Sequence, residues 1–269
     1  KFPCTMVDRI TPATTMADIA RVGQLTGNVD AAPVMHEPFA QWVIEDDFVG
    51  NARPDFAAAG VEMVQDVTAH EHMKLRMLNG THSALAYTGY LAGHETIAET
   101  VADPVFSAYV RRLWSEIIPA VQAPDGVSLT EYADALFDRY ANPGIRHKTW
   151  QIAMDGSQKL PQRILGSLAA NLSAGRDSPA LCLAVAAWMR YVGGVDEMGQ
   201  VIDVRDPLAG RLRDASDSAD TPEGKVVALL GVRDVFPAEL AEQLIRPVTK
   251  AAIQLWTKGT RAAIEEGAL

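Results

Sequence analysis

After Asp66 the sequence changes character, and that change constrains the fold more than any other feature. Before it, Pro, Thr and β-branched residues are frequent; after it, Ala, Leu, Met, Glu and Arg recur at helical spacing and turn signals fall only between long segments. The pattern predicts a mainly α protein, with a short β-containing segment over residues 1–65 and a helical domain over 66–269. Within 1–65 we expect a short helix around 15–22 and a strand or hairpin arm in 34–48, where 36–45 alternate. Helices are expected at 69–92, bent at Gly80 and Gly89, then at 95–100, 104–117, 128–140, 160–174 and 179–191. Four more follow at 207–215, 223–232, 237–245 and 247–266. Ser128 with Glu131 three residues later is a capping-box signature, and Asn142-Pro143-Gly144 closes the helix between them.

Composition removes several function classes. At 269 residues, 48% hydrophobic and 22% charged, the chain can bury a sizeable core. Lys plus Arg number 24 against 34 Asp plus Glu, a formal charge of −10, which leaves no footprint for a nucleic-acid backbone. The longest apolar runs, such as 181–189, fall short of the roughly 20 residues a membrane span needs, so no membrane partner is expected. Cys4 and Cys182 form neither a disulfide framework nor a zinc set, which suggests a reducing, cytoplasmic setting. The chain opens at Lys1 with no charged-then-apolar leader and reads as a piece of something longer. It contains no G-x-G-x-x-G and no G-x-x-x-x-G-K-[ST], so a nucleotide's phosphates would need a glycine loop from another domain.

Chemistry-bearing residues gather in two places. At about 100° per residue, Lys74, Asn79 and His82 fall at about 0°, 140° and 80° around a helix. An ammonium, an amide and an imidazole then share one face, with Leu75, Met77 and Leu78 supplying apolar surface that would depress the lysine pKa if buried. Such a lysine can take a proton from an alcohol, and Asn and His can hold the reacting oxygen. The spacing also fits a solvated Lys74 and a hydrogen-bonded core His82. The second cluster runs from the basic triplet Arg146-His147-Lys148 through the Asp155-Gly156-Ser157 turn to Lys159 and Arg163. Cations and backbone N–H groups there suit an anion such as a sugar acid's carboxylate. His70 and His72 lack a third properly spaced ligand, so no metal site is expected. Ser157 is not in a G-x-S-x-G elbow, and residues 188–191 read as packing.

The opening residues 2–12, the Lys74-x4-Asn79-x2-His82 spacing and the Asp155-Gly156-Ser157 turn resemble the long-chain polyol dehydrogenase family, also called the mannitol dehydrogenase family. The resemblance covers essentially the whole chain, as that family's C-terminal half. The runs 37–46, 146–163 and 188–196 look most like its fructuronate reductase branch. The resemblance implies a metal-independent secondary alcohol dehydrogenase using NAD, with NADP not excluded. It implies Lys74 as general acid/base, Asn79 on the reacting oxygen, His82 on a substrate hydroxyl, and Val7 and Asp8 near the nicotinamide. The fold implied is a helical domain like that of 6-phosphogluconate dehydrogenase. The family's N-terminal Rossmann domain, with its glycine loop, is expected to be missing from this chain. Residues 1–65 would then complete that domain's sheet and expose apolar surface, and the chain alone would be an inactive monomer.

Two positions depart from the pattern. Cys4 stands where many members have Asn, and Trp150 and Gln151 stand where mannitol-type members carry further Arg. The second departure points toward a sugar acid, with Arg146, His147 and Lys159 as candidates for its carboxylate. The expected reaction is D-fructuronate/D-mannonate interconversion. The alternatives are a mannitol or arabinitol 2-dehydrogenase acting on a neutral polyol and, in another class, a non-catalytic helical interaction domain.

Overall fold

In the computed structural model, which describes residues 1–267, the chain divides into two compact units, one of residues 1–71 with 142–146 and the other of 72–141 with 147 onward. In the first unit the β-branched stretches form a three-stranded sheet of β1 (Thr5–Asp8), β2 (Gln41–Glu45) and β3 (Glu62–Val64). β1 runs antiparallel to β2, with Val7 opposite Trp42, and β2 runs parallel to β3, with Ile44 opposite Met63. Met6, Val43 and Val67 make a small apolar cluster beneath it. Helix α1 (Met16–Thr26) opens on a capping box between Thr15 and Asp18 and ends at the left-handed Gly27. It buries no residue: Met16 is 79% and Leu25 75% exposed, and Phe2, Val29 and Val49 are also in solvent.

The second unit is helical. α2 (Thr68–Met73), whose first four residues belong to the first unit, leads into a π-helical segment, Lys74–Gly80, and then α3 (Thr81–Leu91). α4 (Ile97–Ala102), α5 (Pro104–Ile117) and α6 (Leu129–Tyr140) follow, then α7 (Thr149–Ala153) and α8 (Gly156–Leu160). A second π-helical segment, Pro161–Leu165, joins α8 to α9 (Gly166–Ser173). The chain continues with α10 (Pro179–Val192), α11 (Ala209–Asp217), α12 (Pro222–Leu230), α13 (Ala238–Lys258) and α14 (Thr260–Gly267).

α10 is apolar around its whole circumference and is buried between α3 and α13, with Trp188 fully enclosed. Pro179 at its first turn costs nothing there, and the Glu116 carboxylate accepts from the Ala180 and Leu181 N–H groups at 3.0 and 2.9 Å. Trp188, Met189 and Tyr191 are core, as the sequence suggested, and Arg190 among them is half-buried.

One helix expectation is corrected. The helices read as 237–245 and 247–266 do not meet at Pro247. One helix runs through the proline and breaks instead at Gly259, with φ 85° and ψ 164°. An interior proline costs about 3 kcal/mol. Leu244, Val248 and Leu255, buried on both sides of it, are each worth about 1.5–3 kcal/mol, so packing wins. At Gly80 the backbone is helical, φ −64° and ψ −49°, and the ladder widens into a π-helical turn.

Candidate active site

The sequence puts Lys74 and Asn79 about 140° apart on an α-helix. The structure removes most of that separation. Residues Lys74–Gly80 are π-helical, and an i→i+5 register brings residue i+5 back above residue i, so Asn79 swings onto the face of Lys74. Carbonyls displaced by the wider turn find side-chain donors, Tyr140 Oη to Leu78 O at 2.8 Å and Trp114 Nε1 to Met77 O at 3.4 Å. Lys74 and Asn79 are half-buried, and His82, in the first turn of α3, is 6% exposed.

The second π segment has a local cause. Pro161 carries no N–H and its ring crowds the carbonyl four residues back, so the α-ladder opens and recloses one residue wider. The two widened turns pack on each other. A Cβ on Gly80 would lie 2.5 Å from the Arg163 carbonyl oxygen, so only glycine permits this approach.

Around His82 the structure collects His147, Tyr140, Lys159 and Arg163. The His82 ring lies 4.5 Å from that of Tyr140 and 5.4 Å, edge to face, from that of His147. Burial first, then His147, Arg163 and Arg139, hold the His82 imidazole well below the usual 6.5. Burial, with Lys159 nearby, lowers His147 to about 4, and its buried Nδ1 has no partner among the described residues. Both imidazoles are neutral at pH 7, so His147 offers a carboxylate a hydrogen bond and no charge. Lys159 Nζ donates to the Met154 carbonyl at 2.6 Å and lies 3.8 Å from Asp155. Burial and then Arg163 lower its pKa, against the pull of Asp155 and Asp206.

The Asp155-Gly156-Ser157 turn is built differently from the sequence expectation. Asp155 is left-handed, φ 55°, and its N–H donates to the Arg205 carbonyl at 2.9 Å. The Ser157 N–H and hydroxyl both donate to the Asp206 carboxylate, at 2.7 and 2.6 Å. The Ser157 N–H expected for a substrate anion is therefore already spent on an acid of the chain. A Cβ on Gly156 would meet Trp188 Nε1 at 2.4 Å and Tyr87 Oη at 2.5 Å, which seats the turn on the core.

Of the eight residues singled out in the sequence, the second unit brings together Lys74, Asn79 and His82 on one continuous helical stretch, and His147 and Lys159 near His82. Arg146 is exposed and belongs to the first unit, as do Val7 and Asp8 on β1. No cluster of three or more His, Cys, Asp or Glu residues able to hold a metal occurs among the described residues. Sequence reading placed Arg163 in the second basic cluster without giving it a role, and it did not single out Tyr140 or Asp206. Pro161 inside a helical pattern was the signal that the ladder opens beside Arg163.

Comparisons with known proteins agree with this architecture. The mannitol dehydrogenase C-terminal domain matches residues 66–256, and the mannitol dehydrogenase Rossmann domain matches residues 1–57. The second match corrects an expectation: the Rossmann domain is not missing, because part of it lies in this chain. The D-mannonate oxidoreductase of Escherichia coli K12 is 46% identical over 266 residues, covering 98% of this chain and 54% of that protein. A mannitol 2-dehydrogenase of Phaeosphaeria nodorum is 37% identical, over 98% of this chain and 46% of that protein. The solved Pseudomonas fluorescens mannitol 2-dehydrogenase, a ternary complex with NAD and D-mannitol, superposes with a TM-score of 0.91 at 34% identity, over 98% of this chain and 54% of that one. The chain spans about half the length of the curated relatives it matches. No helix among the described residues is long and apolar enough to cross a membrane. With its fold, its helical site and both domain matches in agreement, the chain belongs to the mannitol dehydrogenase family.

Proposed function

We propose that this chain supplies the proton-transfer and substrate-binding part of an NAD-dependent oxidoreductase that interconverts a secondary alcohol and a ketone on a sugar acid, with D-mannonate and D-fructuronate as the pair. The observation that carries the reading is the π-helical turn, which places Asn79 on the face of Lys74 one turn before the buried His82. The likeness to a D-mannonate oxidoreductase supports the substrate class, and the likeness to the NAD-bound mannitol 2-dehydrogenase supports the cofactor.

In the oxidising direction, Lys74 Nζ takes the hydroxyl proton as the C–H bond breaks and the carbonyl forms; in reduction it returns the proton. The Asn79 amide donates to the oxygen as its charge grows, and the neutral His82 imidazole bonds a neighbouring hydroxyl. Lys159, with its ammonium half-buried, and His147, as a neutral donor, face the acid end of the substrate. NAD, when bound, accepts or donates the hydride. Val7, an apolar side chain 54% exposed on β1 between the buried Met6 and Asp8, is the kind of contact a nicotinamide face takes, and we assign Val7 and Asp8 to it. The pyrophosphate's glycine loop is not encoded in residues 1–269.

The test is NADH oxidation by the protein that carries this chain, with D-fructuronate and D-fructose in parallel and Lys74→Ala as the control. Faster turnover of fructuronate with a dead variant supports the reading. Preference for fructose moves the substrate to the neutral polyols, and full activity in Lys74→Ala removes the lysine from the mechanism.

A further inference from the structure

We propose that Arg163 is the residue that binds the substrate's carboxylate and thereby selects a sugar acid over a neutral polyol. The proposal rests on the placement of the reacting site given above and adds a residue to it.

Arg163 is half-buried in the second π-helical segment. Its Nη1 donates to the hydroxyl of Ser83 at 3.1 Å, and Ser83 is buried on α3 directly after His82. Its main chain is pinned to the other π segment, since the Gly80 Cα sits against the Arg163 carbonyl. The guanidinium is thus tied to α3 beside His82, on a main chain seated against the turn that carries Lys74 and Asn79.

What the site does not supply is a counter-charge. Among the described residues no Asp or Glu lies within ion-pair distance of Arg163, whereas Arg112 has Glu116, Arg190 has Glu197 and Arg213 has Asp217. Arg76 and Arg176 also lack an acid but donate to the main-chain carbonyls of Ala120 and Pro119. Arg163 has only a neutral hydroxyl, so most of its five N–H donors remain for another acceptor. A charge taken out of water in this way is costly unless an anion completes it. The neighbouring cation cannot be the main partner of that anion, because Lys159 is already bonded to Met154 O and faces Asp155. His147 is neutral. A planar guanidinium with a free fork is the group that matches a carboxylate's two oxygens.

The experiment compares wild type, Arg163→Met, Arg163→Lys and Lys74→Ala in the protein that carries this chain. Two readouts are taken: KM and kcat with D-fructuronate and D-fructose, and the thermal shift given by D-mannonate and by D-mannitol. In Arg163→Met the fructuronate KM is expected to rise roughly ten- to hundredfold more than the fructose KM, the mannonate shift to vanish, and Arg163→Lys to restore part of both. Equal losses on acid and neutral substrates, or a mannonate shift that survives in Arg163→Met, overturn the proposal. A wild type that gives no mannonate shift overturns it as well. If Lys74→Ala keeps full turnover while the mannonate shift still depends on Arg163, the proton-transfer reading falls and the carboxylate site stands.

Discussion

Replacing Gly80 by alanine sets helix propensity against packing, and the structure says which wins. In a helix interior alanine is favoured over glycine by about 0.5–1 kcal/mol. At Gly80, however, the new Cβ would lie 2.5 Å from the Arg163 carbonyl oxygen, where ordinary contact begins at 3.4 Å. The obstacle is main chain packed between two π turns, which cannot rotate away as a side-chain tip can. Overpacking of this kind costs about 1–3 kcal/mol and sometimes more. The net effect of Gly80→Ala should be a loss of about 1–2 kcal/mol. Gly210 is the control: it lies in the first turn of α11 with nothing within 4 Å of its Cβ position, so Gly210→Ala should be neutral or gain up to about 0.5 kcal/mol. Urea unfolding of the two variants beside wild type reads the difference. If Gly80→Ala is as stable as wild type or as Gly210→Ala, the close approach of the two π turns, and the positioning of Lys74, Asn79 and Arg163 built on it, is refuted.

Two further outcomes follow from buried polar groups. His147 has a folded pKa of about 4 against an ordinary 6.5, so between those values the unfolded chain binds the extra proton. Stability is full above pH 6.5 and falls as the pH drops through 4, by about 3 kcal/mol in all. Urea midpoints measured from pH 7 to pH 4 should show this decline and His147→Gln should flatten part of it; parallel curves would mean His147 is not buried neutral. Glu116→Ala strips the acceptor from two buried N–H groups at the start of α10 and should cost about 2–4 kcal/mol, with Glu116→Gln recovering some of it. A change in unfolding free energy below about 1 kcal/mol would show that the N-terminus of α10 finds other partners.

The sequence by itself determined most of the elements and the candidate reacting groups. Helical periodicity after Asp66, the proline starting α10 and the Ser128 cap are local signals, because each is a property of one turn of chain and its immediate neighbours. The Lys74, Asn79 and His82 spacing was readable for the same reason. Tertiary packing decided how those groups meet. The π register over Lys74–Gly80 depends on Gly80 seating against the Arg163 carbonyl more than 80 positions along the chain, and no local pattern encodes that contact. The same holds for Ser157, whose N–H looked open to a substrate until Asp206 folded onto it. It holds for Pro247, a helix end by local rule that buried leucine and valine on both sides carry through. Arg163 shows the difference most sharply: in the sequence it is one basic residue in a basic run, and only the folded chain shows that among the described residues no carboxylate comes to meet it, because charge pairing is set by which elements pack and not by which residues are neighbours.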